Sequence, residues 1–263
     1  MSDLLLIERH GHVVVLTLNR PDVRNAFNLD LTIALGDALE DADQDPDVRA
    51  IVLTGSGTQS FSAGADLKAY ARGESNHPSD PVRAAWGFAG VVSHPISTPM
   101  IAAVNGAALG GGTEIVLACD LAVASRTATF GLPEVKRGLY AGAGGAFRIG
   151  QQVPRKLAME LLLTGDPITA GRALELGLIN RVTEPAALME AALELAGRIA
   201  ANAPLAVQFS KRLASGIFEG KIPAEEPYWA MGATEGARVL QSEDTKEGAL
   251  SFVEKRAPVW KGR

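Results

Sequence analysis

The sequence predicts an α/β protein whose parallel strands are buried. Short apolar runs alternate with segments of helical periodicity up to about Val182. These runs are apolar on successive residues, which is typical of strands that are covered on both faces. Loops rich in glycine and alanine follow several of the runs, and in such loops the main chain can approach a helix or a ligand closely.

The elements before Val182 follow this alternation in order. The first two runs flank His10-Gly11-His12, which indicates a hairpin. Asn28 is suited to cap the first helix, and Asp66 is suited to cap a short helix further on. The predicted strands are Leu4 to Glu8, Val13 to Asn19, Arg49 to Thr54, Met100 to Val104 and Leu121 to Ala124. The predicted helices between them are Leu29 to Ala42, a helix that ends near Ser93, and Thr113 to Ala118.

From Pro154 onward the chain is predicted to be mainly helical, and strand signals nearly disappear after Val182. The predicted helices are Lys156 to Thr164, Ala170 to Leu176, Pro185 to Ala201, Leu205 to Phe218, Pro223 to Leu240 and Ser242 to Lys255. This change in pattern places a boundary near residue 200. We therefore expect a core over residues 1–200 and a carboxyl-terminal helical region over residues 201–263.

The composition is that of an ordinary soluble enzyme: of 263 residues, 47% are hydrophobic and 21% are charged, and the formal net charge is -5. No basic patch is evident, so we expect no nucleic-acid partner. The apolar stretches are too short and too often interrupted by glycine to span a bilayer. The start, Met1-Ser2-Asp3-Leu4, lacks the basic region of a signal peptide, and the single cysteine, Cys119, excludes an intramolecular disulfide. These features predict a cytoplasmic protein without a membrane partner.

Two glutamates stand in otherwise apolar, glycine-bearing segments. Glu114 follows Gly110-Gly111-Gly112 on the first turn of a predicted helix, and Glu134 follows Pro133. Because burying an unpaired charge is costly, a glutamate in such a segment is expected to be paired or functional. The alternatives are that the glycines serve close packing, that both glutamates are ordinary helix-start carboxylates, and that nearby basic residues pair with Glu134.

If the two glutamates lie close together in an apolar cavity, their titrations separate, with one pKa raised and the other carboxyl kept ionised. Such a pair can supply a general acid and a general base near neutral pH. The small residues of the neighbouring loops would let main-chain N–H groups reach a substrate oxygen. The sequence therefore predicts an acid–base site with an oxyanion hole, on the hypothesis that the two side chains converge.

Other chemistries have weaker support in the sequence. The histidines have no spacing typical of a metal site; they are His10, His12, His77 and His94. Neither a Gly-x-Ser-x-Gly elbow nor a Walker A motif is present. Gly55-Ser56-Gly57 follows a strand but lacks the third glycine of a dinucleotide fingerprint. We therefore expect no metal site.

Several segments together resemble one known family. They are Leu16-Thr17-Leu18-Asn19-Arg20-Pro21 with Arg24-Asn25-Ala26, Phe61 to Leu67, Ile101 to Glu114, Phe130 to Glu134, Leu163 to Val182 and Glu247 to Arg256. They resemble the crotonase superfamily, the enoyl-CoA hydratase/isomerase proteins. The resemblance covers nearly the whole chain. It implies the crotonase fold, in which repeated ββα units are followed by carboxyl-terminal helices that form a trimer or a dimer of trimers.

The resemblance also implies roles for particular residues. Ala63 and Gly111 align with the positions whose main-chain N–H groups bind the thioester oxygen of an acyl-CoA. Glu134 is expected to protonate the α-carbon, and Glu114 to orient and deprotonate water. Further substrate-binding positions are implied: Arg24, Ala65, Asp66 and Leu67 along coenzyme A, Gly142 beside the attacking water, and Phe252 and Lys255 reaching the coenzyme A of a neighbouring subunit.

The chain departs from the family pattern just before Gly142. Many relatives have a proline there, preceded by a small or aliphatic residue, whereas this chain has Tyr140-Ala141. Tyr140 is expected either to pack the loop or to present a polar group to the acyl chain. The departure affects the expected acyl-chain preference more than the expected reaction.

The resemblance implies an enoyl-CoA hydratase that converts a trans-2-enoyl-CoA to a 3-hydroxyacyl-CoA without metal or other cofactor. A double-bond isomerase is an alternative, since that reaction needs only one of the two carboxylates. Other acyl-CoA lyase reactions occur on the same fold, because fold alone does not fix chemistry. A non-catalytic acyl-CoA binding protein is a further alternative, but it would not need both glutamates.

Overall fold

The computed structural model describes residues 3–66, 69, 72–75 and 77–263. The strands are, in chain order, Leu5–His10 (β1), Val13–Leu18 (β2), Ala50–Gly55 (β3), Ser60–Ser62 (β4), Met100–Val104 (β5), Ala107–Leu109 (β6), Leu121–Ser125 (β7), Thr129–Gly131 (β8), Ile168–Thr169 (β9) and Arg181–Thr183 (β10). The helices are Leu29–Gln44 (α1), Pro81–Ala85 (α2), Gly111–Ala118 (α3), Gly145–Gln152 (α4), Arg155–Thr164 (α5), Ala170–Glu175 (α6), Leu188–Ala200 (α7), Pro204–Ser215 (α8), Glu226–Gln241 (α9) and Glu243–Glu254 (α10). Short 3-10 turns join several of these elements, including one over Pro133–Arg137.

The strands form two sheets. The larger sheet has the order β1-β2-β3-β5-β7-β10, and its neighbours are parallel except for the β1–β2 hairpin. The smaller sheet has the order β4-β6-β8-β9, with only β9 antiparallel to its neighbour. The hairpin and the buried parallel strands predicted from the sequence are confirmed.

The central strands of the larger sheet are covered on both faces, and this explains why β2, β3 and β5 are mainly apolar on successive residues. Alternate residues of β3 pack into different clusters: Ile51 and Leu53 lie on the side of α1, and Ala50 and Val52 lie on the side of α7. Asn28 caps α1 as predicted, since its side chain accepts a hydrogen bond from the N–H of Leu31. Helix α7 contacts the sheet through small side chains at every fourth position: Ala192, Ala196 and Ala200.

The strands of the smaller sheet were not predicted, because two or three residues carry too little periodicity to be recognised. β4 follows β3, β6 follows β5 and β8 follows β7, so each long strand leads into a short one. After β6 the chain enters α3 directly. This order agrees with the repeated ββα units that the resemblance implied, and it brings the carboxyl ends of β4, β6 and β8 to one edge.

The helix expected to continue to Ser93 ends at Ala85. Gly87 has φ 72°, and within the 3-10 turn over Phe88–Gly90 even Ala89 has a positive φ of 60°. A helix cannot continue through left-handed residues. Gly90 lies against α1, where a Cβ would be 2.7 Å from the Cα of Gly36.

The carboxyl-terminal helices fold back over the loops after β8. Helix α8 presents an exposed apolar stripe at a spacing of four residues: Leu205, Phe209 and Leu213. No helix among the described residues combines the length and the apolar character that crossing a bilayer requires. The boundary near residue 200 falls at the end of α7 and stays a prediction.

Gly112→Ala tests how tightly α3 packs against β4. A Cβ on Gly112 would lie 2.1 Å from the carbonyl oxygen of Ser62, so we expect the free energy of unfolding to fall by about 1–3 kcal/mol. The matched control is Gly197→Ala in α7, where nothing lies within 4 Å of the new Cβ; there we expect a gain of about 0.5–1 kcal/mol. Urea unfolding at one fixed protein concentration measures both changes. Equal stability of the two variants would contradict the packing described.

Candidate active site

A cleft of about 2120 Å³ opens at the edge where β4, β6 and β8 end. Its walls come from the loops after these strands and from the facing side of α9. Residues from distant parts of the chain line it together: Arg24, Ala65, Gly111, Glu114, Glu134 and Trp229. The two glutamates selected from the sequence therefore face one cavity.

Glu114 is held rigidly on the first turn of α3. Glu114 is only 3% exposed, and its Oε1 accepts a hydrogen bond of 2.9 Å from the N–H of Gly145. Burial, together with the negative charge of Glu134, raises the pKa of Glu114 to about 8, although the N–H groups of Gly145 and Ala143 and the charge of Arg148 act in the opposite direction.

Glu134 lies on the short 3-10 turn over Pro133–Arg137. Its Oε1 is 3.3 Å from the position that a Cβ of Gly110 would take, so the carboxyl lies directly over the glycine loop. Its Oε2 is buried and has no hydrogen-bond partner among the described residues. Burial raises the pKa of Glu134 to about 7.

The pair can hold a proton near neutral pH, which ordinary carboxyls cannot do. In the singly protonated pair one carboxyl donates a proton while the other accepts one, and their mutual repulsion keeps the two titration steps apart. This arrangement suits reactions in which one proton is removed and another is delivered.

The N–H of Gly111 is a hydrogen-bond donor without a partner in the described part of the chain. Gly111 is the first residue of α3, where main-chain N–H groups have no acceptor within the helix. The loop after β4 lies against it, since a Cβ on Gly64 would be 2.7 Å from the nitrogen of Gly111. Only glycine permits this approach, so the two loops meet main chain to main chain.

The expected role of Ala63 as the second N–H donor is wrong. Its N–H donates to the carbonyl oxygen of Arg24 at 3.0 Å and is not available to a substrate. Ala65 and Phe27 form an isolated parallel bridge. In this bridge the N–H of Phe27 donates to the carbonyl oxygen of Gly64, and the N–H of Asp66 donates to the carbonyl oxygen of Phe27. The N–H of Ala65 itself makes no hydrogen bond within the described part of the chain, and Ala65 lines the cleft. The two neighbouring main-chain N–H donors at this contact are therefore those of Ala65 and Gly111.

The other predicted positions near coenzyme A fall largely where expected. Arg24 and Asp66 line the cleft, and the carboxylate of Asp66 is paired with Arg20 at 3.1 Å. It also accepts from the N–H of Ala69, as a helix cap does. Leu67 lies outside the described residues.

Tyr140 crosses from the loop of Gly142 to α9. Its hydroxyl donates to the carbonyl oxygen of Gly232 at 3.0 Å, and its ring lies against the Cα of Gly142. Gly236 leaves the space for the hydroxyl, because a Cβ there would be 1.9 Å away. The hydroxyl proton is used by the helix, so Tyr140 presents mainly its ring to the cleft. The N–H of Gly142 donates to the carbonyl of Tyr140.

Phe252 lines this chain's own cleft, and its expected reach to the coenzyme A of a neighbouring subunit stays a prediction. Its ring lies under the guanidinium of Arg137, 4.5 Å from the ring centre. The reason is that α9 and α10 fold back in the same chain. Lys255 ends α10 with φ 54° and is not among the described residues that line the cleft.

Two features of the site were missed from the sequence. Arg148 and Glu225 form a buried bidentate ion pair, with distances of 2.6 and 2.8 Å, that ties α4 to the segment before α9. Trp229 and Phe147 pack edge to face beside this pair, with their ring centres 5.0 Å apart. No local pattern could have indicated either feature, since the ion pair joins residues 77 positions apart. Across the described residues, no cluster of three or more histidine, cysteine or acidic side chains is arranged to hold a metal.

The sequence profile of the enoyl-CoA hydratase/isomerase family matches residues 8–263. The chain belongs to this family. It is 40% identical to a carnitinyl-CoA dehydratase of Salmonella typhi, with both chains covered completely. Among solved structures it is similar to a carnitinyl-CoA hydratase of Mycobacterium avium, with 56% identity and a TM-score of 0.97, and to an enoyl-CoA hydratase of Mycobacterium tuberculosis, with 42% identity and a TM-score of 0.76; each covers 100% of both chains. The fold is thus that of the crotonase enzymes.

The raised pKa of the buried Glu114 leads to a prediction about stability. The pKa of Glu114 is about 8 in the folded state against an ordinary 4.5, so the folded state holds the proton of this carboxyl more tightly than the unfolded state does. The free energy of unfolding therefore falls as the pH rises between these two values. We expect Glu114→Gln to raise the melting temperature at about pH 9 and to change it little at about pH 5. Glu190→Gln on the exposed side of α7 removes the same charge and serves as control. An equal gain at both pH values would contradict the raised pKa.

Proposed function

We propose that this enzyme hydrates a trans-2-enoyl-CoA and dehydrates the corresponding 3-hydroxyacyl-CoA. The observation that carries the proposal is the pair of carboxyls with raised pKa, Glu114 and Glu134, in the same cleft as the unpaired N–H groups of Ala65 and Gly111. Acid, base and oxyanion donors all come from the chain, so the proposal needs no metal or added cofactor.

The thioester carbonyl would accept hydrogen bonds from Ala65 and Gly111. Water addition at C3 builds negative charge on this oxygen, and donors already in place stabilise the enolate. Removing one such donor typically costs about 3–4 kcal/mol of transition-state stabilisation. The amino-terminal end of α3 adds its positive dipole at the same point.

The two carboxyls would divide the proton transfers. In hydration, Glu114 removes a proton from water as its oxygen bonds to C3, and Glu134 gives a proton to C2. Dehydration reverses both transfers, starting with the proton on Glu114. Glu114 is the more deeply buried carboxyl and has the higher pKa, so the free pair favours the proton arrangement from which dehydration begins.

The rival activities differ in what they do to the double bond. An isomerase moves the bond within the acyl chain and adds no water, so it needs only one carboxyl. A non-catalytic acyl-CoA binding protein leaves the conjugated thioester unchanged. A buried and a half-buried glutamate in the same cleft favour hydration over both, because removing each carboxyl from water would otherwise be a cost without a role.

Glu134→Gln should abolish turnover while coenzyme A binding survives, because the amide cannot exchange the proton at C2. The ultraviolet absorbance of the conjugated thioester measures turnover, and calorimetry with coenzyme A measures binding. For the unaltered enzyme we expect a bell-shaped dependence of kcat/KM on pH, with limbs set by the pair at about 7 and about 8. Near-normal activity of the variant would remove Glu134 from the reaction. Because moving the double bond out of conjugation also lowers the absorbance, a product of the unaltered enzyme whose mass has not increased by one water would indicate isomerisation.

A second candidate is narrower: we propose carnitinyl-CoA as a specific 3-hydroxyacyl substrate. Relatives named for this substrate match the chain over its full length. Carnitinyl groups carry a quaternary ammonium, and aromatic faces attract such cations. Aromatic side chains line the described cleft: Phe88, Tyr140, Phe147, Tyr228, Trp229 and Phe252. The charge of Arg148 nearby is paired with Glu225 and so opposes a substrate cation less than a bare guanidinium would.

The charge of the acyl group decides between the two candidates. We expect carnitinyl-CoA to be dehydrated with a kcat/KM about tenfold above that of 3-hydroxy-5,5-dimethylhexanoyl-CoA, its uncharged isostere, which corresponds to about 1.4 kcal/mol of cation–π attraction. Trp229→Leu should reduce this ratio more than it reduces turnover of the neutral substrate. If the two substrates have equal kcat/KM, a specificity for the charged acyl group is excluded and the general hydratase activity remains.

The oligomeric state of this protein and its location in the cell are proposed from its family. The exposed stripe of Leu205, Phe209 and Leu213 on α8 supports a homo-oligomer, a trimer or a dimer of trimers, because such a stripe is usually covered. Sedimentation equilibrium distinguishes the two from a monomer. A cytoplasmic location without nucleic-acid or membrane partners stays a prediction.

A further inference from the structure

The two glutamates are held in place in different ways. The carboxyl of Glu114 is fixed by the N–H of Gly145. The carboxyl of Glu134 has a buried oxygen for which the described residues offer no partner, and the hydrogen bond that bears on its pKa comes from its own main chain. The orientation of Glu134 therefore depends on how firmly the short turn that carries it is supported.

One peptide unit links this turn to α10. The carbonyl of Gly138 accepts a hydrogen bond of 2.7 Å from the hydroxyl of Thr245. The N–H of the same peptide unit belongs to Leu139 and donates to the carbonyl of Glu134 at 3.0 Å. Thr245 thus anchors one end of a peptide whose other end holds the main chain of Glu134.

Close main-chain contacts reinforce this link on either side. A Cβ on Gly138 would lie 2.3 Å from the carbonyl oxygen of Asp244, and a Cβ on Gly248 would lie 2.1 Å from that of Arg137. Both glycines are needed for α10 to reach the turn. The fit leaves Thr245 half-buried at the contact, where its hydroxyl is shielded from water on one side.

We propose that Thr245 is a positioning residue for Glu134, through which α10 sets the placement of this carboxyl in the cleft. The inference rests on the proposed function, because it assigns a catalytic task to Glu134. Thr245 itself touches no reacting atom. The hydroxyl also lies 2.6 Å from the carbonyl of Val239, so its removal affects the α9–α10 junction as well.

Three variants separate positioning from general stability. Thr245→Val keeps the shape and removes the hydroxyl, and Thr245→Ser restores the hydroxyl. Ser251→Ala is the matched control, because Ser251 is a buried hydroxyl of the same helix that bonds only to Gly248 within α10. Thermal unfolding by circular dichroism confirms that each variant is folded, and Thr245→Ala replaces Thr245→Val if the latter is not.

We expect Thr245→Val to lower kcat about tenfold or more with KM changed by less than about threefold, since small misplacements of a catalytic group cost up to about a hundredfold. Thr245→Ser and Ser251→Ala should stay within about threefold of the unaltered enzyme on this scale. A second readout needs no turnover: the infrared band of the protonated Glu134 carboxyl, assigned with Glu134→Gln. In Thr245→Val this band should titrate at lower pH, because a loosened carboxyl gains access to water.

A folded Thr245→Val or Thr245→Ala variant with unchanged kcat and an unchanged infrared titration would overturn the inference. Equal losses in Thr245→Val and Ser251→Ala would also overturn it, because they would indicate a role in stability alone. If the unaltered enzyme does not hydrate any enoyl-CoA, the proposed function fails, yet the infrared titration still decides whether Thr245 positions Glu134.

Discussion

The site depends on one contact, the meeting of main chain with main chain where the loop after β4 touches the start of α3. Gly64 lies against the nitrogen of Gly111, and Gly112 lies against the carbonyl of Ser62. No side chain fits between these segments. Their contact aligns the N–H groups of Ala65 and Gly111 on one side of the cleft and fixes the first turn of α3, from which Glu114 extends. A larger gap would separate the donors from the two glutamates.

The same packing that builds the site makes it electrostatically unfavourable. Glu114 is buried and Glu134 is half-buried, and the charge of Glu134 adds to the cost of ionising Glu114. The N–H of Gly145 offsets part of this cost for Glu114, whereas Glu134 has a buried oxygen without a partner. The stability needed to hold the pair comes from elsewhere, mainly from the sheet that α1 and α7 cover on both faces. The raised pKa values of Glu114 and Glu134 therefore depend on the stability of the whole fold.

The carboxyl-terminal helices complete the cleft from within the same chain. Glu225 pairs with Arg148 before α9, Tyr140 donates to the main chain of α9, and Phe252 of α10 lies under Arg137. All three contacts reach the segment between β8 and the end of α4, which also carries Glu134 and the amides around Glu114. Any shift of these helices would therefore displace Glu134 and the amides around Glu114, since close-packed elements transmit displacement.

The sequence by itself determined the local features of this protein. The β1–β2 hairpin, the buried strands of the larger sheet, the cap of α1 by Asn28 and the helical carboxyl-terminal region follow from periodicity and residue type, which act over a few neighbours. The choice of Glu114 and Glu134 also followed, because a glutamate in an apolar segment is costly wherever the chain folds. The segments shared with the enoyl-CoA hydratase/isomerase family gave the repeated ββα order.

Only the tertiary structure decided which groups are available to a ligand. Ala63 and Ala65 are equivalent in sequence, but Arg24 takes the N–H of Ala63 and leaves that of Ala65 unpaired. The short strands of the smaller sheet, the contact of Phe252 with Arg137 and the pairing of Arg148 with Glu225 likewise depend on segments far apart in the chain. The direction of a loop N–H and the partner of a buried charge are set by such distant neighbours, and for that reason no local pattern encodes them.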